Sequence, residues 1–184
     1  MKMIKLFLIT ILSATLSVLA EDQMGVIETA YGKIAVAFFP DKAPQHVANF
    51  IALASEKFYD STTFHRVIPG FMIQGGDPAT KDSDRTNDGK GLPGQKIVPD
   101  EINDLPHVRG TLSMARKKSK NSATSQFFIL VVDKPHLNGQ YTAFGKVVRG
   151  MEVIDAIVAQ KTDKNANPLE RVEMKVRIVP QSSL

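Results

Sequence analysis

Phe64-His65-Arg66-Val67-Ile68-Pro69-Gly70-Phe71-Met72-Ile73-Gln74-Gly75-Gly76-Asp77 is the stretch that decides how the chain is read. One cation and one amide stand among bulky apolar groups on either side of a Pro-Gly turn. The flanking runs read as two short strands. Side chains alternate between the faces of a strand, so Phe64, Arg66 and Ile68 are expected on one face, with His65 and Val67 on the other. Beyond the turn, Met72 and Gln74 are expected to share a face, as are Phe71 and Ile73. An arginine among apolar groups needs a reason, because burying an unpaired cation costs several kcal/mol. Taken alone, pairing with a carboxylate across a sheet is the simplest reason; a working cation is the other.

Outward from this stretch the pattern is mostly β. Val26–Tyr31 and Lys33–Phe39 flank Gly32 and read as a hairpin. Strand-like pieces follow at Thr62–Ile68, Phe71–Gln74, Thr111–Ala115, Gln126–Val132 and Ala143–Val148, and an alternating one ends the series at Val172, Met174, Val176 and Ile178. Two helices interrupt them. Pro44–Lys57 places Val47, Phe50, Ile51 and Ala54 on one face behind a proline suited to a first turn. Met151–Ala159 does the same with Val153, Ile154, Ile157 and Val158. Asp77–Pro106 is rich in Gly, Pro, Asp and Asn and reads as a long surface loop with little regular structure, of the kind that is functional or mobile. Many short strands with two helices predict a mainly β fold, a closed barrel with helices packed on it. Closure leaves no open sheet edge.

The chain has 184 residues, 43% hydrophobic and 23% charged, the balance of a chain that buries a core rather than a disordered one. Lys2 and Lys5 precede an apolar run, Leu6–Ala20, that ends at Glu21-Asp22. A basic start, a short apolar run and a small residue before a polar break describe a secretory signal peptide. The run is shorter than the roughly 20 residues of a spanning helix. Residues 1–20 are therefore expected to be removed, leaving one domain, 21–184, that begins at Glu21, is exported to a periplasm and has no membrane attachment. The net charge is +4, but from residue 21 onward 21 basic residues face 19 acidic ones, a balance of +2 that does not argue for nucleic acid. The absence of Cys excludes disulfides, zinc–cysteine sites and thiolate nucleophiles.

The Phe64–Asp77 segment resembles the signature of the cyclophilins, the peptidyl-prolyl cis–trans isomerases. Agreement resumes at Leu112-Ser113-Met114-Ala115, Ser125-Gln126-Phe127-Phe128-Ile129 and Ala143-Phe144-Gly145-Lys146-Val147, and runs from Gly25 to Val179 in the family's order. Asn121–Phe128 is similar to the bacterial form. The resemblance implies an eight-stranded antiparallel barrel capped by two helices. It makes Arg66 the catalytic cation and Gln74 the holder of the substrate backbone. Phe71, Met72, Phe128 and Leu137 would line a proline pocket, Ala115 and Arg116 would flank the groove, and Gln126 would position substrate or Arg66. Two rim positions depart from the common eukaryotic pattern: His136 stands where those members have Trp, and Tyr141 where they have His. Since that Trp packs on cyclosporin, the drug is expected to bind weakly here.

The resemblance implies a monomer that needs no cofactor, metal or covalent intermediate and whose partners are proline-containing unfolded or partly folded proteins. A non-catalytic proline-binding module on the same fold is the alternative, opposed by the intact Arg66, Phe71, Gln74 and Phe128 set. A hollow barrel carrying a small ligand is a third, opposed by the Phe, Ile and Val available to fill it. Other signals carry less. Gly89-Lys90-Gly91-Leu92-Pro93-Gly94 matches a dinucleotide fingerprint but lacks a preceding strand, and Pro93 interrupts the helix it should open. Arg116-Lys117-Lys118-Ser119-Lys120 reads first as a solvated loop, with acidic partners or RNA as the minority reading. His46, His65, His107 and His136 lack ligand spacing. Ser113, Ser125 and Asp77 lack a nucleophile-elbow pattern.

Overall fold

A computed structural model describes residues 23–183. The expected signal peptide, residues 1–20, lies outside them. The elements are β1 (Gln23–Thr29), β2 (Gly32–Phe38), α1 (Pro44–Ser55), β3 (Thr62–Ile68), β4 (Met72–Gly75), β5 (Thr111–Met114), β6 (Phe127–Leu130), β7 (Ala143–Arg149), α2 (Met151–Val158) and β8 (Glu173–Pro180). The strands close antiparallel into a barrel in the order β1-β2-β7-β5-β6-β4-β3-β8. The predicted architecture holds, with boundary shifts. Strand β4 starts at Met72 rather than Phe71, and β6 is shorter than the Gln126–Val132 run. The β1–β2 hairpin turns at Ala30-Tyr31, and Gly32, which opens β2 opposite Thr29, has a φ of +131° and approaches Val153 of α2 too closely for a side chain.

The barrel interior is filled. Ile27, Ile34, Val36, Val67, Ile73 and Leu112 are buried in it. Helix α1 closes one end by inserting Phe50, whose ring lies 5.0–5.6 Å from those of Phe38, Tyr59, Phe127 and Phe144. A hollow carrier is thereby excluded. Helix α1 opens on Pro44 with no side-chain cap of its own. Its free amides are met from the long loop instead: the Glu101 carboxylate accepts from the N–H groups of Gln45 and His46, both at 3.0 Å, and sits 2.8 Å from His46 Nδ1.

The long segment after β4 is irregular, as its composition predicts, apart from a 3-10 turn at Pro78–Lys81 and a bridge between Val98 and Ala123. Polar anchors hold it. Asp77 is fully buried and accepts from Ala79 N (3.0 Å) and Gly91 N (3.1 Å). The Thr80 hydroxyl accepts from Thr63 N at 2.9 Å, and Ser125 donates to the Gly76 carbonyl at 2.8 Å.

Two face assignments are corrected. The ladder between β3 and β4 slips by one residue between Phe64 and Arg66, a bulge. Simple alternation puts Phe64 on the face of Arg66 and Ile68; the bulge turns it inward beside Val67 instead. Phe71 does not share the face of Ile73, because it sits in the turn before β4 and packs outside with Met72. Arg66 is exposed, so no buried carboxylate is needed to explain it.

Candidate active site

Register builds the site. Arg66 of β3 pairs with Gln74 of β4, Gln74 with Phe128 of β6, and Phe128 with Ser113 of β5. Directly paired residues share a face, so these four form a row across the outside of the barrel. A parallel row runs Ile68, Met72 and Leu130. Leu137, from a 3-10 turn at Pro135–Leu137, packs on Met72, Phe128 and Leu130 and completes an apolar floor. Tyr141 stands edge-on to Phe128 at 5.7 Å, and His107 stacks behind it at 6.4 Å. The His107 ring lies 3.0 Å from the Ser113 hydroxyl, which donates to the Thr142 carbonyl at 2.9 Å. Phe128 is therefore held on both sides.

A polar chain runs along the row. Arg66 Nη1 donates to Gln74 Oε1 at 3.2 Å, Gln74 Nε2 donates to Gln126 Oε1 at 3.0 Å, and Gln126 Nε2 donates to the Gly89 carbonyl at 3.1 Å. Each amide fixes the flip of the next. The chain uses one guanidinium nitrogen and leaves the other donors of Arg66 to a ligand. The result is a groove of about 540 Å³ with an apolar floor and one oriented cation on its wall.

The model of the cyclophilin type peptidyl-prolyl cis-trans isomerases matches residues 24–178. The chain belongs to this family. A peptidyl-prolyl cis-trans isomerase of Synechococcus elongatus is 48% identical over 144 residues, covering 74% of this chain and 93% of that protein. Peptidyl-prolyl cis-trans isomerase A of Dickeya dadantii is 42% identical, covering 86% of this chain and 83% of its own. A crystal structure of a Cryptosporidium parvum cyclophilin type isomerase, determined in the presence of the dipeptide Ala-Pro, is 37% identical, covers 85% of this chain and 98% of that one, and gives a TM-score of 0.75.

In this cyclophilin all the predicted site residues line the groove except two. Gln126 lines an adjoining basin, and His136 is exposed on the Pro135–Leu137 turn without facing either. The structure adds residues that the sequence reading missed. Val67 N donates to the Ala166 carbonyl at 2.8 Å, which brings Asn165 and Asn167 beside Arg66. Arg85 clasps that segment: Nη2 donates to Asn167 Oδ1 at 2.5 Å and to the Pro168 carbonyl, and Nη1 donates to the Leu169 carbonyl at 3.1 Å. Asn167 donates to Asp88 at 2.6 Å. These partners lie 79–84 residues apart in sequence, and no local pattern marks them.

Two histidines back the groove, and burial holds the pKa of each below the ordinary imidazole value. For His65 burial outweighs the carboxylates of Asp77 and Asp88. For His107 it outweighs the bond to Asn138. The sign follows from linkage: the unfolded chain takes up protons on these rings at a higher pH than the folded one. Their contribution to stability is complete above the unfolded value of about 6.5 and is lost as pH falls through the folded values. The urea midpoint should therefore fall between about pH 7 and pH 5, and His65→Gln, which cannot titrate, should flatten that fall. An unchanged slope in the variant would remove His65 as a source.

Proposed function

We propose that the groove takes a proline-containing segment with the proline ring on the Phe128, Met72 and Leu137 floor, and that Arg66 accelerates rotation about the X–Pro bond. The observation that carries this reading is the Arg66 guanidinium, oriented by Gln74 beside an apolar floor. Rotation is slow because the C–N bond has partial double-bond character, with a barrier of ~18–20 kcal/mol. In the twisted transition state the nitrogen is pyramidal and its lone pair localised. A guanidinium N–H can then donate to that nitrogen, which accepts poorly in the planar ground state. The bond therefore favours the transition state selectively. The twisted amide is also less polar, so the apolar floor favours it further.

Magnitudes divide the work. Uncatalysed rotation takes tens of seconds, and reaching milliseconds needs about 5–7 kcal/mol. One charge-assisted hydrogen bond supplies roughly 1.5–3 kcal/mol. Exclusion of water by the bound chain and a twist held by Gln74 must supply the rest. No proton transfer or covalent step is involved.

We also propose that the enzyme works as a monomer in a periplasm on exported proteins that are unfolded or partly folded. The Leu6–Ala20 run and its break at Glu21 support export. Protein recovered from the cell envelope should begin at or near Glu21 by intact mass; retention of Met1 on the exported form would defeat cleavage.

Arg66→Ala should lower kcat/KM about 10- to 150-fold while changing the affinity for a proline peptide little, because the bond strengthens only at the transition state. Arg66→Lys should recover part of the loss, since an ammonium lacks the planar fork. Equal losses in kcat/KM and ground-state affinity would defeat the assignment. His136 offers less apolar area than an indole, so cyclosporin should bind weakly. His136→Trp should gain about 1–2 kcal/mol, roughly tenfold, by calorimetric titration. Unaltered affinity with peptide turnover intact would show that His136 is not the cause.

A further inference from the structure

Arg66 stands on the half of β3 that has a strand on one side and a loop on the other. Among the described residues β8 pairs with β3 only at Thr62 and Thr63, and Phe64 N then donates to the Val172 carbonyl at 3.0 Å. The ladder with β8 goes no further. The bulge between Phe64 and Arg66 leaves the amide of Val67 on this edge, and the Ala166 carbonyl meets it at 2.8 Å. The backbone beside the cation is therefore fixed by β4 on one side and by a single loop carbonyl on the other.

That loop is a small hairpin, residues 161–169. Leu169 N donates to the Lys161 carbonyl at 2.8 Å, Thr162 and Pro168 form a bridge, and Asp163 N donates to the Asn167 carbonyl at 2.9 Å. One side chain organises its tip, Lys164-Asn165-Ala166. Asp163 Oδ1 accepts from the amides of Asn165 at 2.8 Å and Asn167 at 2.9 Å, and the Asp163 carbonyl accepts from Ala166 N at 3.0 Å. These bonds hold Ala166 at a φ of +65°, a left-handed conformation that a residue with a Cβ adopts only under constraint. In it the Ala166 carbonyl faces Val67. The amide of Asn167, joined by that of Asn165 and by the Arg85 cation, outweighs desolvation and holds the Asp163 carboxyl below the usual carboxylate range, so it is an ionised acceptor at neutral pH.

Two arginines brace the hairpin in opposite directions. Arg85 of the long loop donates to the Pro168 and Leu169 carbonyls of the hairpin. Arg171, just beyond the hairpin, donates back to the Thr80 carbonyl and, at 2.6 Å, to that of Asp82 in the long loop. The tip thus bears on β3 from a fixed base. Asp163 itself does not line the groove.

We infer that Asp163 is a positioning residue for the rotation chemistry: it shapes the hairpin tip so that the Ala166 carbonyl holds Val67, and with it the backbone of Arg66, where the guanidinium meets the twisted amide. This rests on the isomerase reading of the groove and deepens it. Gln74 orients the head of the arginine, and Asp163 sets the point from which the side chain starts. A misplacement of about 1 Å at such a point costs up to about 100-fold in rate.

The test measures kcat/KM on an Ala-Pro tetrapeptide, the Kd of that peptide and the urea midpoint, for Asp163→Ala, Asp163→Asn, Arg66→Ala and the double variant. Under conditions where each protein is folded, Asp163→Ala should lower kcat/KM roughly 5- to 30-fold and change Kd by less than about twofold, because the displaced cation is missed in the transition state only. Asp163→Asn keeps an oxygen for both amides and should recover most of the rate. In the Arg66→Ala background, Asp163→Ala should cost less than about twofold, since its effect passes through the missing guanidinium. Where the alanine variant is unstable, Asp163→Ser, with a shorter acceptor, should show the same split at smaller size. A lowered urea midpoint with kcat/KM unchanged would overturn the inference and leave the isomerase reading intact. So would a full, additive loss in the Arg66→Ala background. Absence of turnover by the unaltered protein would remove the isomerase reading. The exchange rate of the Val67 amide and the Nε–Hε resonance of Arg66 then test the placement directly: both should change in Asp163→Ala, and unchanged values would overturn it.

Discussion

Strands β4 and β6 are apolar on both faces, and the rest of the molecule is arranged around that constraint. Ile73, Phe127 and Ile129 point into the barrel, while Met72, Phe128 and Leu130 point out of it. A strand that is apolar on both faces needs cover on both. The inner face is covered completely, by the other strands and by Phe50 of α1. The outer face is covered only in part, by Leu137, Phe71 and Tyr141. What the cover leaves open is the groove, so the site is a gap in the packing outside a filled barrel.

The bulge in β3 makes this gap chemically useful. Without it, Phe64 and Arg66 would share a face, and either the phenyl ring would be exposed or the guanidinium buried. The inserted residue sends Phe64 inward and leaves Arg66 outside, charged at no desolvation cost before substrate arrives. Bound substrate would then exclude water around a cation already oriented by Gln74. A hydrogen bond made in those surroundings is stronger than one made in open water.

The loops are held by isolated polar anchors in place of ladders. Asp77, Glu101, Arg85 and Arg116 each gather backbone groups from segments distant in sequence. Arg85 and Arg116 act as scaffolds at the rim, leaving Arg66, among the arginines that line the groove, with donors to spare. This division separates the arginines by role in a way that residue type alone does not.

The sequence by itself determined the eight strands, the two helices, the family and the side chains of the floor. These follow from short-range rules: period-two alternation, helical spacing, Pro and Gly at turns, and motifs of adjacent residues. Tertiary structure decided three things. It decided which face Phe64 takes, because a bulge depends on the register of a partner strand. It decided that Asn165, Asn167, Arg85 and Asp88 meet at the groove, because they lie on loops joined only through the closed barrel. And it decided that a basic run which reads as solvated loop is wound on Arg116, whose Nη1 donates to the carbonyls of Lys117, Lys118 and Ser119. The chain alone specifies charge and spacing, but the fold specifies what those charges face.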